Sequence, residues 1–218
     1  MATSVFSVIL LVVTTGIMSF TKSYYKGITE TDTQNVARNI MNGIAQAIQF
    51  SSAESGFVPL GAPGGSDTGA FCINNTRYSY VVGKELTDTT PVPAGQTAHV
   101  LVMDSAPNCS TSTPGLNVTG ALAMAGKQEL VSPSMRLAKL TVGLQSAAGA
   151  SPKAYAVAVR VVYGDDDLLC SPGVPGSCAS SATMSASNLA RSDIQCKSTA
   201  GSQFCSVSDL STVVEKRL

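Results

Sequence analysis

No charged side chain occurs between Ala2 and Phe20. Val5, Phe6, Val8, Ile9, Leu10, Leu11, Val12, Val13, Ile17, Met18 and Phe20 crowd that stretch. Such a run must leave water, either for lipid or for other protein. It does not end in a turn. Past Lys22 and Lys26 it passes into a polar pattern with helical spacing, and no proline interrupts the chain before Pro59. The pattern predicts one helix over residues 1–50, roughly 75 Å long. Residues 1–20 form its transmembrane or filament-core part, and residues 21–50 its amphipathic part.

The run does not read as a secretory signal. Nothing positive precedes the apolar core, and residues 19–25 offer no convincing cleavage site. At about 1.5 Å per residue the uncharged stretch reaches just under 30 Å, the lower limit for a bilayer. Thr14, Thr15 and Gly16 weaken it further. A marginal span suits a helix that can leave the membrane, or one that continues upstream.

In the amphipathic half, Val36, Ile40, Ile44 and Ile48 recur every four residues, with polar side chains mainly elsewhere around the helix. This stripe is expected to pack on a sheet. From residue 51 the composition turns to Gly, Ser and Pro, which ends the helix. Short β-like runs follow at 78–82, 98–103, Met135–Leu144 and Ala154–Tyr163. The alternation of the third slips near Ala138. The fourth, AYAVAVRVVY, is the strongest strand in the chain, and residues 145–153 suit a hairpin loop between the last two. Residues 108–126 and 170–202 read as long loops. The expected fold is α+β: a long helix on a roughly four-stranded antiparallel sheet, then a cysteine-bearing C-terminal region. Residues 51–218 form the globular domain.

Composition narrows the function. Lys+Arg and Asp+Glu both number 14 among 218 residues. A balanced composition of this kind implies no basic face for nucleic acid, and none is expected as a partner. Six cysteines all lie beyond the helix, no C-x-x-C pair occurs, and His99 is the only histidine, so zinc spacings are absent. An even cysteine count behind a membrane segment fits disulfides in an oxidising compartment. There is no G-x-S-x-G elbow and no phosphate loop, and His99 sits in an apolar run. No enzymatic activity and no cofactor are expected.

The arrangement resembles type IV pilins and pseudopilins. The segment Met1-Ala2-Thr3-Ser4-Val5-Phe6-Ser7-Val8-Ile9-Leu10-Leu11-Val12 is similar to the apolar stretch that follows the Gly-Phe-Thr-Leu-x-Glu start of that family. Ala-Thr-x-x-Phe-Ser is similar to minor pilins and the larger pseudopilins. Tyr24-Tyr25, Thr33-Gln34 and Ala37-Arg38 fit the same helix. The likeness by sequence covers about the first fifty residues and is architectural beyond them. The chain lacks the Gly-Phe processing site, and no acidic residue precedes Glu30. The expectation is that Met1 is an internal start or truncation point, with roughly six to eight family-type residues upstream.

The resemblance implies a structural subunit of a pilus (fimbrium) or secretion pseudopilus. Such a subunit sits in the cytoplasmic membrane with its C-terminal domain outside, then enters a cell-surface filament. Its partners are other pilin subunits, the membrane before assembly and, for an adhesive fibre, a host or surface ligand. The alternative is a single-pass anchored extracellular binding module that never polymerises. For the cysteines, the resemblance implies a bridged C-terminal loop. Cys196 and Cys205 are then the first pair, Cys170 and Cys178 the second, and Cys72 and Cys109 the third. Six cysteines permit 15 pairings, and sequence selects none. Some pseudopilins hold calcium in loops such as Asp165, Asp166 and Asp167. Consecutive carboxylates lack the alternation of a calcium loop, and a solvated turn is the expectation here.

Overall fold

The structure is a computed structural model that describes residues 2–51, 57–60, 67–86, 99–105, 109–110, 113, 115–116, 126–145 and 153–217. One helix, α1, spans Ala2–Gln49 without a break. Three antiparallel sheets follow. The first joins β1 (Phe57–Leu60), β2 (Thr68–Ile73), β3 (Thr76–Val81), β4 (Leu101–Ser105) and β5 (Gln128–Glu129) in sequence order. The second sets β7 (Ala154–Tyr163) between β6 (Met135–Leu144) and β10 (Ser206–Glu215). The third pairs β8 (Leu169–Cys170) with β9 (Gln195–Cys196). A one-turn helix α2 (Ala186–Leu189) and a 3-10 turn (Ser202–Phe204) complete the C-terminal region.

The fold is α+β as expected, but it holds more than four strands. The main addition is β10, which pairs with β7 along all ten residues. Its inward residues at one end are Ser206 and Ser208, both buried, so the strand carries little apolar alternation. The sequence hid it for that reason. Strand β1 carries Pro59 at a sheet edge, where a missing N–H costs no ladder bond. The β2–β3 hairpin turns on Asn74 at φ 54°, a left-handed geometry that asparagine tolerates. Gly69 lies opposite Tyr80, and a Cβ there would stand 2.3 Å from the tyrosine ring.

Helix α1 packs on β10 and β7. Its fully covered positions are Thr33, Ala37, Ile40, Ile44 and Ile48, with Thr29 at the margin. Val36 only flanks the core. This corrects the predicted stripe. Steps of four residues advance 40° beyond a full turn each, so a stripe of fours drifts around the helix. The single three-residue step from Ala37 to Ile40 brings it back. The threonines escaped notice because they are polar. Their hydroxyls bond back into the helix, Thr33 to the Thr29 carbonyl at 2.6 Å and Thr29 to that of Lys26 at 3.0 Å.

Opposite the helix stand Tyr155, Val157, Val159 and Val161 of β7 with Leu137 and Leu140 of β6. Between Leu137 and Lys139 the register slips by one residue. Ala138 is the extra residue of a β-bulge, which keeps Leu137 and Leu140 on the same face. The slip in the sequence alternation marks this bulge. The core continues into the first sheet through Phe71, Ile73, Tyr78 and Leu101.

A second apolar cluster fills the other face of the β10–β7–β6 sheet. Val162 and Val207 point into it and are covered by Leu168, Leu169, Met184, Leu189 and Ile194. The segment read as a loop over 170–202 is therefore a packed layer. Arg136, also on this face, is buried and reaches Glu85 at 2.7 Å and Asp166 at 2.6 Å. In urea unfolding of the chain in detergent micelles, Ile44→Ala is expected to cost about 3 kcal/mol through cavity formation. Val13→Ala, at an exposed position, is expected to cost less than about 0.5 kcal/mol.

Candidate assembly surface

Among the described residues, α1 is exposed from Val5 through Ile28. Its eleven large apolar side chains from Val5 to Phe20 are all about half exposed or more, from 49% at Leu10 to 71% at Phe20. Covering each side chain is worth about 1.5 kcal/mol. The total, on the order of 15 kcal/mol, matches or exceeds the whole stability of an ordinary domain. This surface must be covered by lipid or by protein. By length and composition the helix is able to cross a membrane.

The hydroxyls that weakened the span in sequence do not face outward as bare donors. Thr14 donates to the Leu10 carbonyl, Thr15 to Leu11 at 2.9 Å, Thr21 to Ile17 at 2.8 Å and Ser23 to Ser19 at 3.2 Å. A donor satisfied inside its own helix can enter an apolar medium at little cost.

The exposed half ends at an aromatic group. Phe20 stacks on Tyr24, and Tyr25 meets Phe204 of the 3-10 turn with ring centroids 5.7 Å apart. Lys22 and Lys26 bracket these rings. Tyrosine and lysine at the end of an apolar run are the chemistry of a membrane–water interface. The Tyr25–Phe204 contact and the bond from Thr29 to the Gln203 carbonyl, 3.4 Å, mark where the domain begins. Beyond them the same helix is gripped by the sheet.

Three disulfides tie the domain: Cys72–Cys109, Cys170–Cys178 and Cys196–Cys205. Each restricts the unfolded chain and is worth about 2–4 kcal/mol. They indicate an oxidising compartment for the globular part. Cys170 and Cys196 lie on the paired strands β8 and β9, so the last two bridges fasten the C-terminal layer from one small ladder. Asp193 braces the same layer. Its carboxylate accepts the Ser171 hydroxyl at 2.6 Å, the Gly173 N–H at 2.9 Å and the Arg191 guanidinium at 3.0 Å.

Asp165, Asp166 and Asp167 do not converge. The Asp166 carboxylate is held by Arg136, and no group of three or more potential metal ligands occurs among the described residues. The calcium candidate is set aside on that ion pair. His99 is fully buried just before β4 rather than displayed in a cleft. Most of the predicted 108–126 loop lies outside the described residues, as does most of the 145–153 hairpin loop.

No protein-family model, curated protein or solved structure matches the chain.

The hydrogen bonds from Arg191, and then Ser171, hold the Asp193 carboxyl well below its ordinary 3.8. A depressed carboxyl stabilises the fold above its unfolded value and loses that contribution as pH falls through the folded value. Acidification well below the ordinary carboxylate range, through the depressed folded value, is expected to open the brace, read as faster hydrogen exchange at the Gly173 amide. Asp193→Asn is expected to show fast exchange already at pH 7 and a flatter pH response.

Proposed function

We propose that this chain is a structural subunit of a type IV pilus or related pseudopilus-like filament. It is held in the cytoplasmic membrane by α1 with its disulfide-bonded domain outside, and then joins other subunits through the same apolar surface. One observation carries this reading. A single unbroken helix is exposed and apolar from Val5 to Phe20 and fastened to the domain core from Thr33 to Ile48. An anchor alone needs only the first part, tethered by any linker. Continuity into the sheet holds the domain at a fixed place on the rod, as regular stacking of many copies requires.

The energetics agree. Apolar side chains that leave acyl chains for a bundle of like helices exchange one apolar medium for another, so little hydrophobic free energy is lost. The internally bonded threonines add no desolvation penalty on either side. Nothing in the sequence resembles a nucleotide site, so the force for extraction is assigned to a separate assembly ATPase. The resemblance to pilins over the first fifty residues supports the same subunit.

The test places a charge in the rod. Leu11→Asp adds about 2.5–3.5 kcal/mol to insertion at mid-membrane. The variant domain is expected to form its three disulfides, while the chain disappears from both the membrane fraction and sheared surface fibres. Wild-type protein is expected in both. Wild-type protein confined to the membrane, with fibres that lack it, would identify the non-polymerising anchored module instead.

A further inference from the structure

A cleft lies between α1 and the bridged C-terminal loop. It is lined by Lys26, Glu30 and Gln34 on the helix and by Gln195, Lys197 and Ser202 on the domain side. Lys197 is 3% exposed, and its ammonium has no hydrogen-bond partner among the described residues. Its backbone is fixed by the neighbouring Cys196–Cys205 bridge and by an N–H bond to the Leu168 carbonyl at 2.8 Å. The other charges of the cleft balance each other, since Lys26 and Glu30 form an exposed pair at 3.9 Å. One enclosed cation therefore stands without a partner of its own in a cleft whose wall also holds two amides, three hydroxyls, the Cys196–Cys205 bridge and Val207.

A buried charge without a counter-charge is among the costliest arrangements a fold can keep. We infer that this cleft binds a single carboxylate, with the Lys197 ammonium as its counter-ion and the amide and hydroxyl side chains of the wall as neutral donors. The charge count selects the class. One cation calls for one monoanion, and a phosphate dianion would leave a net negative charge in the cleft. The carboxylate has two possible sources, a small molecule or an acidic side chain of a second copy of this chain.

The binding test uses the full chain, solubilised as single copies in detergent, titrated with sodium acetate against sodium chloride at constant ionic strength. Its outcome is independent of filament formation. Acetate is expected to raise the unfolding midpoint saturably, by about 4 °C at roughly ten times its dissociation constant. Lys139→Met, outside the cleft, is expected to keep that rise and Lys197→Met to lose it. Should Lys197→Met fail to fold, the ammonium nitrogen signal of Lys197 in the wild type decides, and a saturable shift with acetate is expected. Equal effects of acetate and chloride, an unchanged Lys197 signal, or a full acetate response in Lys197→Met would overturn the proposal. Loss of any Lys197→Met penalty on adding Glu30→Gln would also overturn it, because the cation would then serve Glu30 within the chain. Zero-length carbodiimide coupling of assembled protein separates the sources. A Lys197 peptide joined to an acidic residue of a second copy assigns the protein source, and an acetate response without that product assigns the small molecule.

Discussion

The seam between α1 and the strands β7 and β10 is the contact on which the rest depends. Thr33, Ala37, Ile40, Ile44 and Ile48 are sealed against a sheet face of valines and small serines. Ala37 and the serines are the small side chains of this contact, and Thr33 turns its hydroxyl back into the helix. This grip stops at Thr29, yet the backbone ladder does not. Because the helix is one element, whatever covers its first half also determines where the domain sits.

The domain is layered around the same sheet. Helix α1 seals one face, and the region between β7 and β10 folds back to seal the other with Leu169, Met184, Leu189 and Ile194. A chain segment with so little regular structure holds its place by other means. Two disulfides, the Asp193 brace and the ion pairs of Arg136 supply them. Arg136 is notable for its position. It leaves β6 one residue away from Leu137, on the opposite face, and ties the turn at Glu85 to the turn after β7. Cross-links of this density suit a domain that meets no reducing environment.

Much of this was legible from residue patterns. The uncharged run, the absence of proline before Pro59 and the isoleucines at 40, 44 and 48 specify the helix and its buried side. AYAVAVRVVY marks the central strand, and the slip near Ala138 marks the bulge. Part of what stayed hidden has one physical cause: surfaces buried by small or internally bonded polar groups carry no apolar signal. Thr29 and Thr33 look like solvent-facing residues, and Ser206 and Ser208 disguise a ten-residue strand. The C-terminal layer was unreadable for a different reason. Its order comes from long-range bridges and from apolar side chains scattered among turns, and neither has a period. The exposed rod was the part of the candidate site plainest in sequence, because its function as a surface is a matter of composition. Lys197 was invisible there, since only folding shows that it lies beneath the helix.

An apolar rod that is stable both in lipid and among its own kind is the central claim. It is tested most directly by a nitroxide spin label at residue 13, measured in membranes and in sheared surface fibres. In membranes the label is expected to be open to oxygen from the acyl phase, with no dipolar broadening. In fibres it is expected to be shielded from oxygen and broadened by labels on neighbouring copies. A label that stays lipid-exposed and magnetically isolated in every fraction would contradict the account.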